Sequence, residues 1–130
     1  MKRWRETIDY HLMEVWAGGH PMESLRPELE RRGFLSRAEL PSMPSGALVK
    51  TGGLLVTVHT PPTRSGRRVM FITVEDETGL IDLVAFEDVQ RRWAGAIFTA
   101  EILLVEGVLR RQGRDRKAIS ITIRRVMGPV

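Results

Sequence analysis

The sequence predicts a mainly β chain: a five-stranded OB-fold barrel with a helix between its third and fourth strands, preceded by an α-helical N-terminal segment. Three observations carry this expectation. From Ala47 onward the spacing of apolar residues changes from helical to extended. The extended runs then follow in the order long strand, loop, hairpin, short helix, strand, basic turn, strand, which is the order of that barrel. Finally, Gly52 and Gly53 interrupt the first strand, and paired glycines there suggest the bulge or sharp bend that closes a small barrel. The rival architecture is another small five-stranded barrel of the SH3-like type. Residues 1–45 form the helical segment in this reading, and residues 46–130 the barrel.

Taken in order, Trp4 to Trp16 reads as a helix, with Trp4, Ile8, Leu12, Val15 and Trp16 on one apolar stripe. Gly18 and Gly19 end it. Pro21 suits the first turn of a second helix, whose apolar face is Met22, Leu25 and Leu29 and whose end Gly33 caps. Pro27 sits badly in a helix that begins so early, so a start at Ser24 or later is the alternative. Ser36 caps a short turn through Leu40, and Pro41 to Gly46 is a linker by composition.

Leu48 to Val58 is the first strand, and Thr60 to Gly66 a loop. Val69 to Val74 and Leu80 to Phe86 form a hairpin around the acidic turn Glu75 to Gly79. Both arms are apolar on both faces apart from Thr73 and Asp82, which predicts a hairpin covered on both sides. A short helix over Glu87 to Ala94 follows, then a strand over Ile102 to Leu109. A charged turn from Arg110 to Lys117 leads to the last strand, Ala118 to Val126, with Ile119, Ile121 and Ile123 on one face and Ser120 and Thr122 on the other.

Composition narrows the function. The chain has 130 residues, enough for one domain with an appendage and a core that needs no crosslink. It has no cysteine, which excludes disulfides, thiolate metal sites and cysteine nucleophiles. The first residues lack an apolar signal region, and no run approaches the roughly 20 apolar residues that span a bilayer, so the expected location is cytoplasmic with no membrane partner. His11, His20 and His59 lack metal-ligand spacing, and there is no phosphate-binding loop or nucleophile elbow. Asp76, Glu77 and Asp82 invite a metal or acid–base reading, but no histidine accompanies them and acidic hairpin tips are common. The expectation is a chain that is not an enzyme and takes no cofactor or metal.

Charge is unevenly placed. The net charge is +4. Residues 1–45 balance to zero and residues 69–109 carry −6, whereas residues 46–68 carry +4 and residues 110–130 carry +6. The two positive segments contain the two loops with which an OB-fold binds its ligands. His59, Arg64, Arg67 and Arg68 belong to the first. Arg110, Arg111, Arg114, Arg116 and Lys117 belong to the second. Charged hairpin tips are often merely solvated, but two such loops meeting on one face form a funnel for a phosphate backbone. If Met70, Ile72 and Val74 face the core, Phe71 and Thr73 face outward, and Phe71 becomes a platform on which a base can stack. The reversed phase would bury Phe71 instead.

Three segments carry a family resemblance. VMFITVEDETGLIDLVAF (69–86) resembles the F-x-T-L-E-D-E-T-G strand and turn of the OB region of bacterial C-family DNA polymerase III α subunits, with the error-prone branch most similar. GGHPMESLRPELERRGF (18–34) looks like the Gly-His-Pro-Met/Leu helix that precedes that region, and LLVEGVLRRQG (103–113) resembles its fourth strand and turn. The resemblance spans roughly residues 10–126. It implies single-stranded DNA binding through Arg64, Arg67, Arg68, Phe71 and the Arg110 to Lys117 turn; the expected role is as an accessory to replication, repair or translesion synthesis, and the residues leave the choice between DNA and RNA open. It also implies a DNA polymerase, or another replication or repair protein, as partner. The sequence departs from the family at Val58-His59-Thr60-Pro61, where the family has a basic Arg-Gln-Arg-Pro stretch, and it carries no polymerase palm. A stand-alone OB protein and a piece of a longer one are both consistent with it. The competing expectation is an interaction module whose Trp4–Trp16 helix docks on a polymerase or on a second copy.

Overall fold

The computed structural model describes residues 19–127. The Trp4–Trp16 stripe lies outside the described residues. Five strands, β1 (Leu48–His59), β2 (Met70–Asp76), β3 (Gly79–Ala85), β4 (Ile102–Gln112) and β5 (Ala118–Val126), close into a barrel in the order β1-β2-β3-β5-β4. All neighbours are antiparallel except β3 and β5, which pair in parallel. That single parallel pairing across the closure is the OB topology and disposes of the SH3-like rival. Helix α1 (Pro21–Arg31) precedes the barrel, and α2 (Glu87–Thr99) connects β3 to β4, five residues longer at its C-terminus than the sequence suggested.

The strand β1 is long because it serves two partners. Residues 48–54 pair with β4 and residues 54–59 with β2. Gly52 and Gly53 lie at this change of partner, but they are not the bulge. The register shift falls between Leu55 and Thr57. The glycines permit close approach instead: a Cβ on Gly52 would fall on the Leu103 carbonyl oxygen, and one on Gly53 on the Glu75 carbonyl, whose carbon it would meet at 2.6 Å.

The hairpin phase is settled. Met70, Ile72, Val74, Ile81, Leu83 and Ala85 point into the barrel with Val105, Leu109, Ile121 and Ile123, joined by Val89 and Ile97 from α2 and by Leu40. The hairpin is covered on this side only. Its outer side is open, with Phe71, Leu80 and Asp82 exposed, so the expectation of two covered faces is corrected. The strand whose outer face is covered is β4, where Ile102, Leu103, Leu104 and Val105 are all buried. There Ile102 and Leu104 form a second cluster with Met22 and Leu29 of α1 and with Phe34. Burying both faces of one strand requires an apolar residue at every position, which explains the unbroken run.

The helix α1 begins at Pro21, not at Ser24. Its cap is His20, whose Nδ1 accepts the Met22 N–H at 3.0 Å, a role that favours Ser, Thr, Asp and Asn and is therefore hard to see in a histidine. Pro27 lies inside the helix, where it removes the bond to the Glu23 carbonyl on the exposed side. The His20 Nε2 also lies 3.2 Å from Glu75 Oε1.

The acidic turn is a socket for this segment. Asp76 is buried, and one carboxylate oxygen accepts from the Thr78 N–H (2.7 Å), the Thr78 hydroxyl (2.8 Å) and the Gly79 N–H (3.0 Å). The other accepts from the Arg37 N–H at 2.7 Å and faces the Arg26 guanidinium at 3.4 Å. Arg26 also grips Glu77 with two bonds, at 2.6 and 2.9 Å, and the Ala38 N–H donates to the Thr78 hydroxyl at 3.0 Å. The Arg26 bonds hold the Glu77 carboxyl below the usual carboxylate range.

Candidate nucleic-acid interface

Alternation along β2 places Phe71 and Thr73 on the outer face of the barrel, opposite the core residues Met70, Ile72 and Val74. Phe71 is 39% exposed. It pairs with His59 across β1 and β2, and the two rings stack at 5.7 Å between centroids and 25° between planes. Together they form one aromatic pair on the outer face of the barrel. A groove of about 350 Å³ begins at this patch and reaches Gln112, Ala118 and Ser120 at the base of the β4–β5 turn. The groove thus runs from the strand residues that flank one charged loop to those that flank the other, and its own lining contains no arginine.

Their arginines are not equivalent. Arg64, Arg67 and Arg68 are exposed on the β1–β2 loop, but Arg67 is held 3.7 Å from Glu87 and lies over the Phe86 ring at 5.7 Å. The loop itself is pinned to α2, since Gln90 Nε2 donates to the Arg68 carbonyl at 2.9 Å. Arg67 and Arg68 line a second, larger depression of about 620 Å³ with Pro61, Pro62, Gln90 and Phe98. The two depressions adjoin along the chain, because His59 and Phe71 line one while their neighbours Thr60 and Met70 line the other. Phe98, 57% exposed on α2, is an aromatic surface that sequence reasoning missed, since nothing in a 13-residue amphipathic helix marks which apolar residue is left outside.

The β4–β5 turn is shorter than predicted. Arg110 and Arg111 belong to β4, and the turn proper begins at Gly113. Arg110, Arg114, Arg116 and Lys117 are exposed and form no ion pair with any described residue. Arg111 is placed elsewhere. Its guanidinium bonds the Pro41 carbonyl and, at 3.0 Å, the Met43 carbonyl, which ties the linker to the barrel. Arg116 takes a left-handed backbone, φ 57°, an unfavourable state for a residue with a Cβ. Of the sequence-predicted residues, the structure brings His59, Phe71 and Thr73 into the first groove and Arg67 and Arg68 into its neighbour. It leaves Arg111 in a structural contact. Asp82, Val84, Gln112 and Ser120 are groove residues that were not proposed. The alternation of Ser120 and Thr122 against three isoleucines was the signal for the outer face of β5.

Among the described residues no three His, Asp or Glu side chains are grouped to hold a metal, and no helix is long and apolar enough to cross a membrane.

Comparison with known proteins agrees with the geometry. Residues 49–127 match the family described as OB-fold nucleic acid binding domain. The error-prone DNA polymerase of Symbiobacterium thermophilum is 42% identical over 124 residues, covering 94% of this chain and 11% of that protein. The error-prone DNA polymerase of Alkalilimnicola ehrlichii is 38% identical over 107 residues, 82% of this chain and 10% of that protein. The chain therefore spans about a tenth of the length of these relatives. Among solved structures, RecG bound to a three-way DNA junction superposes with a TM-score of 0.58 at 18% identity, covering 75% of this chain and 13% of that one. Asparaginyl-tRNA synthetase from Pyrococcus horikoshii does so with a TM-score of 0.56 at 18% identity, covering 74% and 23%. At such identities the likeness is one of fold. The closed barrel, its strand order and the match over residues 49–127 make this chain a member of the family of OB-fold nucleic acid binding domains, on a segment that it shares with error-prone DNA polymerases.

Proposed function

We propose that this chain binds single-stranded DNA and serves DNA synthesis, in replication, repair or translesion synthesis, beside a polymerase core. The observation that carries the reading is the groove that runs from the Phe71–His59 stack to the unpaired basic turn. An aromatic platform takes the face of any base, and the exposed arginines of the two neighbouring loops take the phosphates, so a flexible strand is held without an extended sequence being read. The polymerase relatives support the setting.

The test is a titration of labelled oligo-dT at two salt concentrations. Each neutralised phosphate on a single strand contributes about 0.7 to the slope of log affinity against log salt. The Arg64→Ala/Arg67→Ala/Arg68→Ala variant is therefore expected to lower that slope by up to about 2, and to bind more weakly at low salt. Absence of binding by the unaltered chain at low salt would sink the proposal. Phe71→Ala gives an independent reading: it should weaken oligo-dT binding by about 1–3 kcal/mol while leaving the salt slope unchanged, because stacking displaces no counterions. Oligo-dT and oligo-U of equal length compare DNA with RNA.

A further inference from the structure

The groove contains a polar row that stacking and phosphate binding do not use. Thr73 pairs with Asp82 across β2 and β3, and Asp82 pairs with Ser120 across β3 and β5, so the three stand side by side on the outer face. The Thr73 hydroxyl donates to Asp82 Oδ1 at 3.3 Å, and Asp82 forms no ion pair with any described residue. Ser120 is 7% exposed, and its hydroxyl has no hydrogen-bond partner among the described residues. A carboxylate without an ion pair, between two arginine-rich loops, opposes phosphate binding, and a buried hydroxyl without a partner is costly. Both features make sense when the groove takes a ligand edge that supplies a donor to the one and an acceptor to the other.

We propose that this row reads the edge of one nucleobase stacked on Phe71, and prefers a base carrying an exocyclic amino group over thymine. Asp82 lies diagonally across the β2–β3 ladder from Phe71, about 7–8 Å away, which is the reach of one base. A carboxylate only accepts, so it takes the N–H of cytosine N4 or adenine N6. The adjacent ring nitrogen of those bases is an acceptor, which the Ser120 hydroxyl, enclosed in this structure, meets once its side chain turns toward the groove. In the pose that serves cytosine, thymine places its O4 carbonyl against the carboxylate; its own donor, N3–H, lies one atom further round the ring and reaches Asp82 only if the base shifts on Phe71. The discrimination thus combines a matched pair for one class of base with a repulsive contact for the other.

This inference rests on the single-strand reading, and the test separates the two. Affinities for oligo-dC and oligo-dT of one length, both pyrimidines, are measured by fluorescence anisotropy at fixed salt. The unaltered chain is expected to bind oligo-dC about tenfold more tightly, equivalent to about 1.4 kcal/mol. Asp82→Asn places a carboxamide that can offer either a donor or an acceptor, and should bring the ratio to about one. Asp82→Ala should raise the affinity for oligo-dT, since a repulsive charge leaves, while lowering that for oligo-dC. Asp82 is exposed, so both variants are expected to fold, which circular dichroism checks. Equal affinity of the unaltered chain for the two oligomers overturns the base slot but leaves single-strand binding standing, as does a preference that survives Asp82→Asn. Binding of neither oligomer overturns the underlying reading itself.

Discussion

Asp76→Ala is expected to destabilise the fold by about 3–5 kcal/mol, the range for removing one partner from a buried charged network. The effect is large because Asp76 accepts from three groups of its own turn and from two in the segment that precedes the barrel. Removing it takes the acceptor from the part-buried N–H groups of Thr78 and Gly79 and leaves the Arg26 guanidinium with Glu77 alone. The same substitution detaches the Arg37 N–H that docks the N-terminal segment, so Met22, Leu29 and Phe34 lose part of their hold on Ile102 and Leu104. Chemical denaturation should show a lower midpoint. Asp76→Asn, isosteric but uncharged and with a donor facing donors, should recover little of the loss. Acid titration gives a second readout. Glu77 is depressed by its bonds from Arg26, so it adds stability above its unfolded-state value and loses it as the pH falls through its lower folded value. Stability should therefore decline on the acid side of the ordinary carboxylate range. Arg26→Ala should flatten that decline, and an unchanged acid limb in that variant would contradict the assignment.

Gly52→Ala is expected to cost at least about 3 kcal/mol, the upper range for overpacking, because the clash is with main chain. The added methyl would fall on the Leu103 carbonyl oxygen and lie 2.9 Å from the Leu104 Cα. Neither atom moves away freely, since Leu103 and Leu104 are paired with Gly53 and Gly52 of β1, and the Leu104 carbonyl accepts from the Met127 N–H at 2.7 Å on the other side. Gly107→Ala meets the Thr122 carbonyl in the same way and should be similarly severe. Gly95, in α2, is the control. A Cβ there has nothing within 4 Å, so Gly95→Ala should stabilise the protein by about 0.5–1 kcal/mol through helix propensity. The same chemical change then has opposite signs at two positions, which urea denaturation resolves directly. A mild effect at Gly52 would mean that the barrel wall is looser there than the strand pairing implies.

The extent of the outer site shows where sequence reasoning ends. Phe71 could be placed outward only conditionally, because β2 and β3 are apolar on both faces and alternation alone fixes no phase. The phase was decided by what the barrel encloses: Met70, Ile72 and Val74 meet Leu109, Ile121 and Ile123, residues far away in the chain. The basic character of the two loops was legible, because like charges cluster in sequence. That Arg111 turns to the Pro41 and Met43 carbonyls was not, because a guanidinium's partner is set by three-dimensional neighbours. Asp82 and Ser120 are 38 positions apart and meet only through the parallel β3–β5 pairing that closes the barrel.

What the sequence determined by itself is the local grammar. The change of apolar period at Ala47, the hairpin around Gly79, the helix between the third and fourth strands and the isoleucine alternation in β5 each depend on residues within a few positions of one another, where backbone sterics and periodicity act. Only the tertiary structure decided which faces of those elements are covered. It placed α1 on the outer side of β4 and left the outer side of the β2–β3 hairpin open. It also turned the acidic turn from a conspicuous charge cluster into the socket that Arg26 and Arg37 fill. Covering and uncovering a face are long-range events, governed by which apolar surfaces and buried charges find partners once the chain has closed, and no local pattern contains that information.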